Sequence, residues 1–535
     1  MSLPPLNTSF SPEAPAKVIF ICSYNAWLRS AHTLATKGLI EPIYAVSFER
    51  NENSFLNFFP NIPFHDLYDA ITGVPHRDFS HAAHATFSDD CQHIWKNEAQ
   101  VVYDFIFRMS YTRAFSFQEM QRLFYQYIVY WNYIYDTMKP NLIAFDSIPH
   151  AGFDYVAYKL ANHKGIATLT TGTSTGYKVP YFFAQDRFEI PTTRESFESL
   201  PITRYNSGVS SKDIDGRIDH VFEVIDKKIP ELQRNEGVTR KLLFFDVFSE
   251  AAKQLQRCLK EYARGVLAIV GIKKAISFVC YYKQTGRALQ NSYKGYFGYA
   301  HYLRDILIDL FVKKYRYFQY EKSTKKPELC EKYVYFPLSA QPEESTNPLA
   351  DIFSYQMLIA NIVAHALPNG WKLYIKENRE QTCAEQSMGL FRNENYYSDL
   401  LSLPNTILIS MEDNSFEYIR SAQAVAVIGG TSGLEALVSG IPCIAFGAPV
   451  YSLIKGCFCV SGFNDVKCLL NKIEHGAEVA NRNEIRTFFK QAIERESLYS
   501  LYDWKTGSYR LDNAEFIESF TEALLNKLGH TSEKK

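Results

Sequence analysis

Ala424-Val425-Ala426-Val427-Ile428-Gly429-Gly430-Thr431-Ser432-Gly433-Leu434-Glu435-Ala436-Leu437 passes from five apolar residues, through paired glycines and two hydroxyls, into an apolar-rich segment. An uninterrupted run of small and β-branched residues is the pattern of a strand buried on both faces, as in a parallel sheet. The glycines predict a tight turn, and a helix is expected to begin after them. Such a junction turns backbone N–H groups and the positive end of a helix dipole outward, a lining that suits phosphate. In open α/β sheets this edge, beyond the carboxyl end of a strand, is where ligands bind. Gly430, Thr431, Ser432 and Gly433 are therefore candidates to hold phosphate. Glu435, expected in the first helical turn, is a candidate to accept from ribose hydroxyls. The alternative is a tight turn whose helix is capped by Thr431 or Ser432, with Glu435 complementing the dipole. The spacing matches neither the dinucleotide fingerprint nor the P-loop.

Around this stretch the same pattern repeats. Tyr333–Phe336, Leu373–Ile375, Thr406–Ile409 and Pro442–Phe446 read as strands, with a long helix over Ile352–Ala366. Upstream, Val18–Ile21, Ile43–Val46, Leu142–Phe145 and Ile166–Thr170 read as strands, separated by helices at Trp27–Gly38 and Phe153–His163. Ser116-x-x-Glu119 is a capping box that opens a further helix ending near Met138-Lys139-Pro140. Alternation of this kind implies right-handed crossovers and parallel sheets. Between the two halves, residues 190–330 show no strand alternation and read as helical. The predicted division is 1–190, a first Rossmann-like domain, and 191–330, a helical insertion or linker. A nucleotide-binding Rossmann-like domain follows over 331–505, with a closing helix and tail at 506–535.

Composition narrows the function. The chain has 535 residues with 57 basic and 58 acidic side chains, and this neutrality disfavours a general nucleic-acid binder. With 46% hydrophobic residues there is material for more than one core, so a disordered chain is excluded. The ten cysteines include no CxxC pair, and the closest spacing is Cys457-x-Cys459, which predicts reduced thiols rather than zinc or a disulfide framework. Neither a signal peptide nor a spanning segment is expected, because the Gly265–Ile272 apolar run stops at Lys273-Lys274.

Asp146-Ser147-Ile148-Pro149-His150-Ala151-Gly152-Phe153-Asp154 follows the Leu142–Phe145 strand. Asp146, His150 and Asp154 are candidates for acid/base work on a hydroxyl, or for an aspartate nucleophile. His150 and Asp154, four apart, would share a helical face. The alternative is a helix capped by Asp146 or Ser147 beside a structural histidine. Arg29, after the first strand, is a candidate to meet an anionic sugar and equally reads as a surface arginine; Gly172–Gly176 reads as lining the acceptor side of a cleft or as a plain loop. His76, His81, His84 and His93, near Asp89 and Asp90, show no ligand spacing and read as a polar surface loop rather than a metal site. Residues 273–326 carry 12 Lys and Arg against 3 acids, interleaved with aromatics, which suits an anionic membrane surface or glycan, or a solvated helical face.

Thr431–Leu437 with Gly440-Ile441-Pro442, Gly447 and Tyr451 resembles the C-terminal signature of bacterial capsule polysaccharide biosynthesis proteins, a group that includes Kdo transferases of GT-B architecture. Two more elements are similar to that family in the same order: Tyr335–Glu343, with its Pro-Leu and Gln-Pro-Glu loop, and Leu373-Tyr374-Ile375-Lys376-Glu377. Asn378 and Arg379 stand where the family has His-Pro near the donor phosphate. The resemblance implies an α/β, GT-B-like fold of two Rossmann-like domains facing a cleft. It implies donor contacts at Lys376, Glu377 and Arg379, with Arg379 offering a guanidinium to phosphate, and places Gln341 and Glu343 in the cleft. The favoured reaction is transfer of Kdo, or another acid sugar from a CMP donor, onto a hydroxyl of a surface glycan or glycolipid. No resident cofactor or metal is expected, since helix N-termini and basic side chains stabilise the leaving phosphate. Expected partners are a nucleotide sugar, a glycan or glycolipid acceptor and an anionic inner-membrane surface, with a cytoplasmic location. The rivals are a nucleotide-sugar epimerase of the same architecture and a non-catalytic assembly subunit.

Overall fold

The computed structural model describes residues 14–21, 25–48, 51–109, 116–146, 148–170, 211–226, 312–341, 346–347, 350–383, 392–447, 449, 451–494, 502–503, 508–509 and 524. Glu343, the 172–176 loop, residues 273–311 of the basic stretch, and all but Leu524 of the expected final helix lie outside them.

The first sheet comprises β1 (Ala16–Ile21), β2 (Ile40–Ser47), β3 (Phe64–Asp66), β4 (Leu142–Phe145) and β5 (Ala167–Thr170), in the order β3-β2-β1-β4-β5. Every pairing is parallel. The strands are buried on both faces, so two apolar cores form, one on each side. The larger holds the helical hairpin Asp89–Met109 and Phe117–Met138, which links β3 to β4. Its second helix starts at the expected capping box, with the Ser116 side chain and that of Glu119 each accepting from the other's backbone. It ends where Lys139 turns left-handed, at φ 49°, before Pro140.

The second sheet comprises β6 (Tyr333–Pro337), β7 (Lys372–Lys376), β8 (Thr406–Ile409), β9 (Ala424–Val427), β10 (Cys443–Ala445) and β11 (Cys457–Cys459). Its order, β11-β10-β9-β6-β7-β8, is also parallel throughout. Numbered within the lobe this is 3-2-1-4-5-6, the Rossmann order. The two Rossmann-like sheets expected from the strand grammar are thus both present. The sequence pattern passed over the short edge strands β3 and β11. The helix expected over Ile352–Ala366 is also divided: a 3₁₀ turn at Asp351–Ser354 precedes the α-helix Gln356–Ala366. The break at Tyr355 leaves the Gln356 amide bracketing Ser339, accepting from its N–H at 2.7 Å and donating to its carbonyl at 2.9 Å.

Two helices from the strand-poor middle pack on the second lobe. Helix Ser211–Asp226 buries Ile218, Val221, Phe222 and Ile225 in that lobe's core. Its Asp215, Asp219 and Asp226 pair with Arg486, Lys490 and Arg482 of the helix Arg482–Glu494. Residues 312–323 form a helix that inserts Tyr320 at the carboxyl ends of β7 and β8. Leu524 is buried in the first lobe's smaller core. Among the described residues no helix is long and apolar enough to cross a membrane.

Tyr320 makes the most of its burial. Its hydroxyl accepts from the Glu377 N–H at 2.8 Å and is shared between the Ile409 and Ile375 carbonyls at 2.6 and 3.3 Å. Tyr320→Phe should cost about 1–3 kcal/mol, because it leaves buried backbone groups unpaired. Urea denaturation checks this, and a midpoint unchanged from the parent protein would count against the bridge.

Candidate functional site

Each sheet has one place where successive strands depart to opposite sides, and a crevice opens there at the carboxyl edge. In the first lobe it lies between β1 and β4, below the Asp146–Gly152 loop. In the second it lies between β6 and β9, flanked by the Leu338–Gln341 and Gly429–Gly430 loops.

The first lobe's loop is held by backbone contacts. Asp146 donates its N–H to Ile21 at 3.2 Å, which anchors the loop to β1. Gly152 takes φ 82°, a left-handed conformation that favours glycine, and is the N-cap of the Phe153–His163 helix. The N-cap is therefore Gly152 and not Asp146, and Ser147 lies outside the described residues. Instead the buried Asp154 carboxylate accepts from the His150, Ala151 and Tyr155 N–H groups at 3.1, 2.7 and 2.7 Å. Asp154 thereby shapes the turn. His150 precedes the helix and meets Asp154 through its backbone, not across a shared helical face. Its Nδ1 lies 2.5 Å from the Ile148 carbonyl, an acceptor, so Nδ1 carries a proton in this contact. Asp146 is half-buried and Arg29 is exposed on the Asn25–Thr36 helix.

The histidines expected on one surface loop divide. His81 and His84 are exposed, and His93 stacks on His163 at 4.2 Å. His76 is buried instead, packed edge-on to Tyr44 and His65. Tyr44 bridges the His65 ring at 2.9 Å and Tyr130 at 2.6 Å, and burial lowers His65 to about 4, so this ring is neutral. The physical reason is the missed strand β3, which carries His65 into the core.

In the second lobe, Gly430 is the N-cap of helix Thr431–Val438, with no side-chain cap. Thr431 and Ser432 are half-buried at the mouth of the crevice, where first-turn N–H groups have no helical acceptor. The Tyr451 hydroxyl donates to the Gly430 carbonyl and clamps the turn. Gly433 serves packing: a Cβ there would sit 2.8 Å from the Cys443 sulfur and against the Tyr451 hydroxyl. Glu435 is the fifth helical residue, beyond the first turn, and is 7% exposed near the Tyr335 and Tyr451 hydroxyls.

Lys376 ends β7, with Nζ donating to the Asp413 carbonyl and to Ser415 Oγ at 2.9 Å. Burial lowers it to about 8, opposed by Asp413 and Glu412. Arg379 pairs with Glu412 at 3.5 Å. Glu377 and Gln341 belong to a buried network built on Arg392. The guanidinium meets Glu377 through Nε at 2.8 Å and Nη2 at 3.1 Å, Gln341 Oε1 at 2.5 Å and the Ser339 carbonyl at 3.1 Å. Tyr397 and the Asn378 N–H complete the Glu377 carboxylate at 3.0 and 2.8 Å. The Tyr396 ring lies 4.6 Å from the guanidinium. Burial alone would lower Arg392, but the Glu377 carboxylate outweighs it and raises the group above its ordinary value. Arg392 was not found from sequence; no local pattern distinguishes it from a surface arginine.

Removing one partner of a buried pair strands the other charge. Arg392→Met should therefore lower stability by about 3–5 kcal/mol, with Arg392→Lys intermediate because it cannot fork. Chemical denaturation of both variants measures this, and loss of less than about 1 kcal/mol in the Met variant would refute the network's role.

Residues 350–457 match the family model described as capsule polysaccharide biosynthesis protein. No curated protein matches the sequence. Among solved structures, the β-Kdo 2,7 transferase KpsC of Thermosulfurimonas dismutans is similar at 9% identity, covering 91% of this chain and 99% of that one, with a TM-score of 0.30. The calicheamicin glycosyltransferase CalG4 gives 10%, 96%, 98% and 0.22. The UDP-N-acetylglucosamine 2-epimerase of Rickettsia bellii gives 10%, 97%, 98% and 0.26. At scores of this size the likenesses bear no functional weight. The family match spans β7 to β10 and both the Lys376-Glu377 and Thr431–Tyr451 motifs, so over residues 350–457 the chain is similar to the capsule polysaccharide biosynthesis family.

Proposed function

We propose that the protein is a glycosyltransferase that binds a nucleotide sugar at the second lobe's crevice and transfers the sugar to a hydroxyl of a surface glycan or glycolipid. The observation that carries this reading is the Gly429–Ser432 turn at the β9 edge of a Rossmann-order sheet, within the segment that matches the capsule family. The helix N-terminus and Lys376 would stabilise the leaving phosphate, Arg379 would exchange Glu412 for it, and Glu435 would meet the ribose. No metal is needed for these contacts. The favoured donor is CMP-Kdo or another CMP-linked acid sugar, a preference that rests on the family resemblance. In the first lobe His150 is the proposed proton acceptor, Asp146 is the second candidate, and Asp154 shapes the turn. An epimerase on the same architecture would consume its nucleotide sugar with no acceptor present, which separates the two readings in one assay.

Titration calorimetry with CMP, CDP, UDP and GDP tests the site. CMP should bind selectively, and Glu435→Gln should weaken it by about 1–3 kcal/mol. Lys376 sits near pH 8 in the free protein, and an added phosphate would favour its charged form. Binding at pH 8 should therefore take up a proton, visible as a dependence of the heat on buffer ionisation enthalpy, and Lys376→Met should abolish that uptake. Absence of binding to all four nucleotides would favour the assembly-subunit reading.

The proposed membrane contact begins on the helix over residues 312–323. There Tyr315 and Phe318 are 60% and 56% exposed, while Arg316 and Lys314, 5.8 and 4.9 Å from their rings, are buried; the exposed cations follow at Lys322, Lys325 and Lys326. Cosedimentation with phosphatidylserine vesicles should fall as salt rises from 50 to 500 mM, roughly as screening shortens below 10 Å. Equal recovery with neutral vesicles would remove this contact.

A further inference from the structure

The turn that follows β8 brings acids to the candidate phosphate cations. Lys376 and Ile409 are paired in register at the ends of β7 and β8, so the Ser410–Ser415 turn leaves the sheet beside Lys376 and Arg379. The carboxylates of Asp413, Glu412 and Glu321 all act on the Lys376 ammonium from there. Two of them build the turn. Glu321 accepts from Ser410 Oγ at 2.7 Å and from the Met411 N–H at 2.9 Å. Asp413 accepts from the Tyr418 hydroxyl at 2.7 Å. Glu412 is held differently. Its backbone N–H donates to Ser410 Oγ at 3.1 Å, which fixes the root of the side chain. One carboxylate oxygen faces Arg379 Nη2 at 3.5 Å, and the other accepts from the Tyr317 hydroxyl at 3.4 Å. Both contacts are long, and the side chain is 37% exposed. Glu412 therefore stands lightly held at the carboxyl edge, with its charge directed at a cation that a ligand phosphate would meet.

We propose that Glu412 sets the charge selectivity of the phosphate site: its carboxylate opposes each negative charge brought to Lys376 and Arg379, and so weakens binding of a nucleoside diphosphate more than of a monophosphate. The role rests on the nucleotide-sugar reading above and adds to it a residue that distinguishes phosphate number. Arg379 can hand its contact from Glu412 to a phosphate, but the displaced carboxylate stays tethered by its backbone within reach of the same charges. A fixed negative charge repels another, and the repulsion grows with the charge of the ligand. Solvent screens a partly exposed carboxylate, so the effect of one further ligand charge is expected at about two- to fivefold in affinity.

Titration calorimetry of the full chain with cytidine, CMP and CDP tests this. In Glu412→Gln the affinity for CMP should rise, and that for CDP should rise by about a further two- to fivefold. Affinity for cytidine, which carries no phosphate, should stay as in the parent. The gain should shrink as salt is raised from about 50 to 500 mM. Glu412→Asp keeps the carboxylate and should keep the parent's ratio of CMP to CDP affinity. Glu417→Gln makes the same charge change at an exposed position of the next helix, Ser415–Ser421, and should also leave the ratio unchanged. An unchanged ratio in Glu412→Gln, or an equal shift in Glu417→Gln, would overturn the proposal while leaving nucleotide binding itself in place. A gain shared equally by cytidine would overturn it too, because charge would not be the cause. Failure of both the parent and Glu412→Gln to bind any of the three ligands would overturn the nucleotide reading and the role of Glu412 together.

Discussion

The buried Arg392–Glu377 pair is the constraint on which the second lobe's ligand-facing edge depends. Two side chains with 1% and 0% exposure carry opposite charge in a place where water cannot screen either. Such a pair is tolerated only when its geometry is good and the remaining hydrogen-bonding capacity is met. Here Glu377 accepts from Arg392, Tyr397 and its neighbour's N–H, while the guanidinium reaches Gln341 and Ser339 as well. The loops after β6 and β7 are thus tied to one guanidinium. Lys376, one residue from Glu377, inherits its position at the strand end from that tie.

The two lobes solve the same problem with different materials. Both place a central first strand, β1 or β6, from which the chain departs first one way and then the other. In the first lobe the crevice loop is rigidified by a carboxylate that accepts three backbone N–H groups. In the second, a tyrosine hydroxyl and a close-packed glycine fix the turn. Acidic and aromatic side chains that look chemically available are used in building the edges. What the turns themselves present for chemistry is their N–H groups, beside a lysine at the end of β7 whose pKa burial depresses.

Most of the fold was legible in the sequence, because parallel strands buried on both faces leave uninterrupted apolar runs such as Ala424–Ile428. The capping box at Ser116 was legible too, being a local pairing of two side chains with two backbone groups. Edge strands of three residues, Phe64–Asp66 and Cys457–Cys459, carry too little pattern to stand out, and missing the first misplaced His76. Of the site, the glycine turn and the Asp146–Asp154 segment were found at carboxyl edges, as their strand–turn–helix context requires. Their individual roles were less legible: whether Asp154 faces a ligand or its own backbone depends on a single turn's dihedral angles. Arg392, and the hydrogen bond from Asn347 to Asp104, were not legible at all. Arg392 is followed in sequence by the polar Asn393, Glu394 and Asn395, and its partners Glu377, Gln341 and Ser339 lie 15 to 53 residues away; at Asp104 the contact with Asn347 spans 243 residues.

Leu524 gives the two-lobed plan a temporal dimension. Its side chain completes the small core formed by Val18, Phe20, Leu28, Ala31 and Leu142, so the first lobe contains a residue made some five hundred positions after its first strand. A domain synthesised first usually folds first. This one emerges from the ribosome with one face of its sheet unfinished and stays so until the second lobe has been made. A lesion at Leu524 would therefore surface as instability in the first strands.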